Sequence, residues 1–168
     1  NVAVGKSALA ANTTADANTA VGYRALNAVT TSESNTAVGF DALLLNTGSN
    51  NTAVGSVALD ANTTGANNTG LGMNALYANT TASNNTSVGY GSMENNSTGA
   101  QNTAVGTEAL KANTTASNNT AMGYRALYAN TTGGRNVAVG NYALDSQTTA
   151  GSYNVGVGYA VGDSVSTA

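Results

Sequence analysis

The chain has 168 residues and a net charge of −3, with no His, Cys, Pro or Trp, and 81 of its residues are Ala, Asn or Thr. Charged residues make up 8%, against about 25% in ordinary globular domains. This composition argues against His- or Cys-bound metals, haem, His-based proton transfer and disulfides. Five Lys and Arg against eight Asp and Glu leave no basic surface for a phosphate backbone, so no nucleic-acid partner is expected. No apolar run approaches the roughly 20 residues that span a bilayer, and no cofactor is expected. The first residue is Asn1 rather than Met, which reads as a piece of a longer fibre.

In chain order the dominant feature is a repeat. A unit of the form Asn-Thr/Val-Ala/Gly/Ser-Val/Leu/Met-Gly begins at Asn1, Asn18, Asn35, Asn51, Asn68, Asn85, Asn102, Asn119, Asn136 and Asn154. The spacing is 17 residues, with one interval of 16 near Gly48 and one of 18 near Tyr153. Ten copies fill residues 1–168 as one repeat domain. Numbering the positions of each copy as columns, the consensus is N-T-A-V-G-x-x-A-L-x-A-N-T-T-(G/A)-x-x. Columns one and five are Asn and Gly in every copy, and column nine is Leu in eight of them.

Helical hairpin repeats need about 33 to 47 residues, and no helix survives Gly plus Asn-Thr-Thr at this spacing. Thr-Ala-Val between Asn and Gly alternates with the period of a short strand. The expectation is an all-β fold: a parallel β-solenoid, or β-roll, of ten coils of about 17 residues. At about 4.8 Å per strand the coils would stack into a rod of roughly 45–50 Å. Columns four and nine, Val and Leu, are expected to point inward. Column five is expected to take positive φ or to allow close backbone approach. Asn in columns one and twelve tolerates the left-handed region and can hydrogen-bond its own backbone, and stacked copies can form amide ladders. Variable columns six, seven and ten are expected to face solvent or a partner.

The Asn-Thr-Ala-Val-Gly unit resembles the head repeats of trimeric autotransporter adhesins of the YadA type. The longer form Asn-Thr-Ala-Val-Gly-Tyr-Arg-Ala-Leu, at Asn18–Leu26 and near Asn119–Leu127, is similar to repeats of bacterial surface fibres and phage tail fibres. The resemblance covers all ten units, although the period of 17 is longer than the adhesin coil. It implies a left-handed parallel β-roll, three chains about one axis, and an extracellular adhesive or spacer role at a cell surface or on a virion. A homotrimer or filament is also expected on physical grounds. Two bulky apolar side chains per coil are a thin core against an ordering cost of roughly 1–2 kcal/mol per residue, and Ala columns could bury against sister chains.

Three candidate surfaces follow. Tyr23, Phe40, Tyr90, Tyr124 and Tyr159 share column six and could contact host-surface glycans or proteins. The Thr pairs Thr13–Thr14, Thr30–Thr31, Thr63–Thr64, Thr80–Thr81, Thr114–Thr115, Thr131–Thr132 and Thr148–Thr149 recur in columns thirteen and fourteen. Aligned in a solenoid they form a hydroxyl array, which supports an alternative reading as an ice-binding protein, with one Thr of each pair facing outward. Asn-x-Thr motifs at Asn12, Asn62, Asn79, Asn113 and Asn130, and at Asn50, Asn67, Asn84 and Asn118, have the form of glycan acceptors, though the repeat generates them automatically. Val4-Gly5-Lys6-Ser7 is not a phosphate loop. The acids fall in mixed columns, with Asp145 and Asp163 the one adjacent pair in column ten, enough for a single weak cation site at most. No enzymatic activity is expected.

Overall fold

A computed structural model describes residues 1–146 and 151–162. It contains ten three-residue strands in columns two to four: β1 (Val2–Val4), β2 (Thr19–Val21), β3 (Thr36–Val38), β4 (Thr52–Val54), β5 (Thr69–Leu71), β6 (Thr86–Val88), β7 (Thr103–Val105), β8 (Thr120–Met122), β9 (Val137–Val139) and β10 (Val155–Val157). They form one parallel sheet in sequence order, and each residue pairs with its own column in the next coil, as Thr52↔Thr69, Ala53↔Gly70 and Val54↔Leu71. Parallel pairing of consecutive strands at this spacing is the expected β-solenoid.

Alternation along so short a strand puts column three on one face and columns two and four on the other. The inward face is column three: Ala20, Ala37, Ala53, Ala104, Ala121 and Ala138 are fully buried. Column four faces out, with Val38, Val54 and Met122 at 37%, 40% and 42% exposure. The expectation that column four is core is therefore corrected. The reason is steric. Column nine fills the narrow interior with Leu26, Leu43, Leu59, Leu76, Met93, Leu110 and Leu127, all fully buried. A Cβ added to Gly70 would lie 3.3 Å from Leu59 Cδ1. Only Ala, Gly or Ser fits opposite that Leu. Column eight adds Ala25, Ala42, Ala58, Ala75, Ala109, Ala126 and Ala143, and column fifteen adds Ala15, Ala82 and Ala116. The Ala of columns three, eight and fifteen are thus buried inside one chain, whereas column eleven stays half-buried or exposed, as at Ala11, Ala28, Ala61, Ala78, Ala112 and Ala129.

Two interior ladders tie the coils axially. In column one, each Asn Oδ1 accepts the backbone N–H of the Asn in the next coil, as Asn68 N–H to Asn51 Oδ1 at 2.9 Å and Asn85 N–H to Asn68 Oδ1 at 3.0 Å. Its Nδ2 donates to the column-fifteen carbonyl, as Asn68 to Ala82 at 2.8 Å. In column twelve, amide donates to amide: Asn62 to Asn46 at 2.6 Å, Asn79 to Asn62 at 2.7 Å and Asn113 to Asn96 at 2.6 Å. Val29 replaces Asn in the second coil, and Asn12 Oδ1 is left without a partner.

The Asn columns do not use the left-handed region. Columns seven, nine and seventeen do, as at Arg24 (φ 52°), Leu26 (φ 50°) and Ser34 (φ 59°). Each left-handed residue costs roughly 1–2 kcal/mol and is held by hydrogen bonds to the adjacent coil, such as Leu26 N–H to Ala42 O at 3.0 Å. Column five meets both expectations for Gly. Gly22 has φ 141°, and a Cβ there would stand 2.3 Å from the Gly39 carbonyl oxygen.

Candidate contact surface

Four files run along the outside of the rod, two of them largely half-buried: the strand face and the charged columns. The first is the outer strand face. From Thr19 to Thr120, column two is Thr in seven consecutive coils, paired Thr to Thr through Thr36, Thr52, Thr69, Thr86 and Thr103. Beside it lies column four, aliphatic or Met in all ten coils. Neither column carries a charged or amide side chain.

The second file is the corner after Gly, column six. Tyr23, Phe40, Tyr90, Tyr124 and Tyr159 are exposed there, but they do not form one continuous stripe. Ser56, Met73, Thr107 and Asn141 interrupt it. Tyr23 and Phe40 stack on each other with centroids 5.4 Å apart and planes at 13°, so the faces they turn to each other are taken. Tyr142, from column seven, stands edge-on between Tyr124 (5.1 Å) and Tyr159 (6.1 Å).

The third file is Asn-Thr-Thr. In column thirteen the hydroxyls are used internally: Thr13 donates to Thr30 O, Thr63 to Thr80 O, Thr80 to Ser97 O and Thr114 to Thr131 O, at 2.9–3.2 Å. In column fourteen Thr14, Thr31, Thr64, Thr81, Thr115 and Thr132 are exposed. That file is broken in the third coil. Gly48 takes the column-fifteen place opposite Gly65, so the missing residue is column fourteen. Thr148 and Thr149 lie outside the described residues.

The fourth file gathers charges that looked scattered. Columns seven and ten of adjacent coils meet. Arg24 grips Asp41 through Nε–Oδ1 at 2.9 Å and Nη2–Oδ2 at 2.5 Å. Lys111 bridges Glu108 (2.8 Å) and Glu94 (3.2 Å), and Arg125 lies 3.9 Å from Glu108 and 3.8 Å from Asp145. The hydrogen bond to Glu108 raises the Lys111 ammonium pKa above its usual value, with Glu94 adding to it. Burial pushes the Asp60 carboxyl up, and the nearby Asp41 pushes it further. Arg125 also covers the Tyr128 ring at 3.9 Å. Columns seven and ten are accordingly half-buried rather than freely solvated. Asp145 sits with Arg125, while Asp163 lies outside the described residues. The signal for this file was present in the sequence as opposite charges one period apart: Arg24/Asp41, Glu94/Lys111 and Glu108/Arg125.

The Asn-x-Thr motifs divide by column, with Asn12 in the first coil half-buried. Asn62, Asn79, Asn113 and Asn130 are buried in the column-twelve ladder, whereas Asn50, Asn67, Asn84 and Asn118 are exposed on the column-seventeen edge. Among the described residues no group of three or more His, Cys, Asp or Glu could hold a metal ion, and no helix is long and apolar enough to cross a membrane.

No family model, curated protein or solved structure matches this chain. It is a parallel β-solenoid of about 17-residue coils with an asparagine ladder.

Proposed function

We propose that this chain is a structural and adhesive segment of an extracellular fibre, at a cell surface or on a virion, acting as a stiff multivalent spacer without catalysis. The observation that carries this reading is axial continuity. Every described coil is joined to the next by in-register strand pairing, and the column-one Asn bonds run unbroken from Asn1 to Asn154. Bending such a rod lengthens buried hydrogen bonds on one side, and each buried amide bond contributes about 1 kcal/mol net. Exposed columns recur at every coil, so weak contacts add by avidity. Association of three chains along the column-six corner belongs to the same proposal.

Small-angle scattering on the 168-residue chain and on a head-to-tail duplication tests the spacer role. Ten further coils should lengthen the rod by roughly 48 Å at constant cross-section. A duplicated chain that folds back, or grows in girth instead of length, would refute it. Beads carrying the chain should hold to cells or glycan-coated surfaces under flow more firmly as chain density rises. Adhesion independent of density would count against multivalency.

A further inference from the structure

Among the described residues the outer strand face combines features that no other part of the surface has together. Its Thr file is unbroken for seven coils and held in register by strand pairing. Strands repeat every 4.7–4.9 Å, and columns two and four of one strand lie about 6.7 Å apart. The face is therefore a rigid two-dimensional grid of hydroxyls, methyls and aliphatic side chains. Thr and Val are β-branched and stiff at χ1, so the grid loses little side-chain entropy on contact. The column-two Thr hydroxyls make no hydrogen bond within the chain, in contrast to those of column thirteen.

Charge is excluded from this face over the whole repeat. The chain's Lys, Arg, Asp and Glu occupy columns six, seven, ten, sixteen and seventeen. A charged partner would find no counter-charge in columns two and four. Length changes are excluded as well. The short third coil loses column fourteen, and the long ninth coil still returns Val155 opposite Val137. The grid keeps its registry at both places where the repeat does not.

We propose that this Thr–x–Val face binds ice. The proposal rests on the adhesive reading above and names what the face adheres to: a surface that is uncharged, solid, periodic and hydroxyl-terminated. Hexagonal ice presents oxygen rows with repeats close to both steps of the grid. Unpaired Thr hydroxyls hold first-layer water at those steps, while the Thr methyls and column-four side chains fill the spaces between. Each coil contributes weakly, and the rigid rod presents all of them at once. The relevant array is thus columns two and four, and the Asn-Thr-Thr pairs are not it.

The test uses the whole chain, its Thr69→Tyr variant on the grid, and Thr81→Tyr in column fourteen as the off-face counterpart. Circular dichroism and light scattering confirm fold and mass for each. Expected results are thermal hysteresis and uptake into a slowly growing ice front for the parent, several-fold loss for Thr69→Tyr, and no change for Thr81→Tyr. Three outcomes would overturn the proposal: a folded parent excluded from ice, loss confined to Thr81→Tyr, or a parent oligomer that Thr69→Tyr dissociates, which assigns the face to a second copy. A rod that scales in length yet ignores ice defeats this proposal and leaves the spacer reading intact.

Discussion

The column-one ladder makes a quantitative prediction at Asn68, in the middle of the array. Its side chain is almost fully buried and makes two bonds: Nδ2 donates to Ala82 O at 2.8 Å, and Oδ1 accepts Asn85 N–H at 3.0 Å. In Asn68→Ala the two losses are unequal. Ala82 O keeps a second donor, Asn79 Nδ2 at 3.1 Å, so the first loss costs about 1 kcal/mol, the net value of an ordinary hydrogen bond. The Asn85 N–H has no alternative acceptor and sits in a fully buried residue, so orphaning it costs about 1–3 kcal/mol. The total is about 2–4 kcal/mol. With a urea slope of about 2 kcal/mol/M, the unfolding midpoint should fall by roughly 1–2 M. The adjacent Asn67→Asp is the matched control: Asn67 is exposed, lies at φ 58°, and its replacement tolerates that conformation. It should move stability by less than about 0.5 kcal/mol. Urea unfolding followed by far-ultraviolet circular dichroism reads both. Equal shifts for the two variants would refute the ladder as a principal axial bond.

Further predictions separate the columns. Leu76→Ala should cost about 2–5 kcal/mol because it opens a cavity in the core, whereas Val54→Ala, on the exposed strand face, should cost under about 1 kcal/mol; thermal unfolding of the pair distinguishes inward column nine from outward column four. Gly106→Ala should lose roughly 3 kcal/mol or fail to fold, since its φ of 140° suits Gly alone and its Cβ would meet the Gly123 carbonyl oxygen at 2.4 Å, a strained site by any measure. Val57, a β-branched residue at φ 52°, should be improved by Val57→Asn, by about 1 kcal/mol in chemical denaturation. Asp60 has its pKa raised by burial, so the folded state binds its proton more tightly than the unfolded state. The sign follows: stability falls as pH rises from the unfolded value of 3.8 through the raised one, and Asp60→Asn should stabilise at pH 7, by less than about 1 kcal/mol after solvent screening, with no gain at pH 3.

Periodicity made the coil, the parallel stacking, the inward Leu and the column-five Gly legible without coordinates. The phase of the strand was not. Hydropathy alone ranks Val above Ala, and so sends column four inward. The better signal is steric. Column three admits Ala, Gly and Ser, whereas column four admits Val, Leu and Met, and a column that never exceeds Ser in size is one that meets a wall. The wall is the Leu of column nine. Left-handed Leu26 and its equivalents were illegible for a different reason: Leu has no local preference for that region, and only bonds to the adjacent coil hold it there. The charge file could have been found by comparing residues 17 apart, where Arg24 meets Asp41 and Glu94 meets Lys111.

The two irregular coils explain why the strand face can stay uniform while the repeat varies. Deleting column fourteen in the third coil has a local consequence. Asn46 now closes its turn on Gly48, two residues away, where Asn62 reaches Gly65, three away. Gly48 O accepts Asn46 alone, and Asn35 Nδ2, whose counterparts Asn18 and Asn51 donate to the column-fifteen carbonyl, is left unpartnered. One unsatisfied amide hydrogen costs about 1–3 kcal/mol. A shift at columns two to four would instead break the strand bonds to both flanking coils and drive Ala off the Leu core, several times that cost. Length change is thus confined to the Asn-Thr-Thr edge by energetics, independent of what the strand face contacts. That edge absorbs variation, and a surface on the strands can be lengthened coil by coil without losing registry.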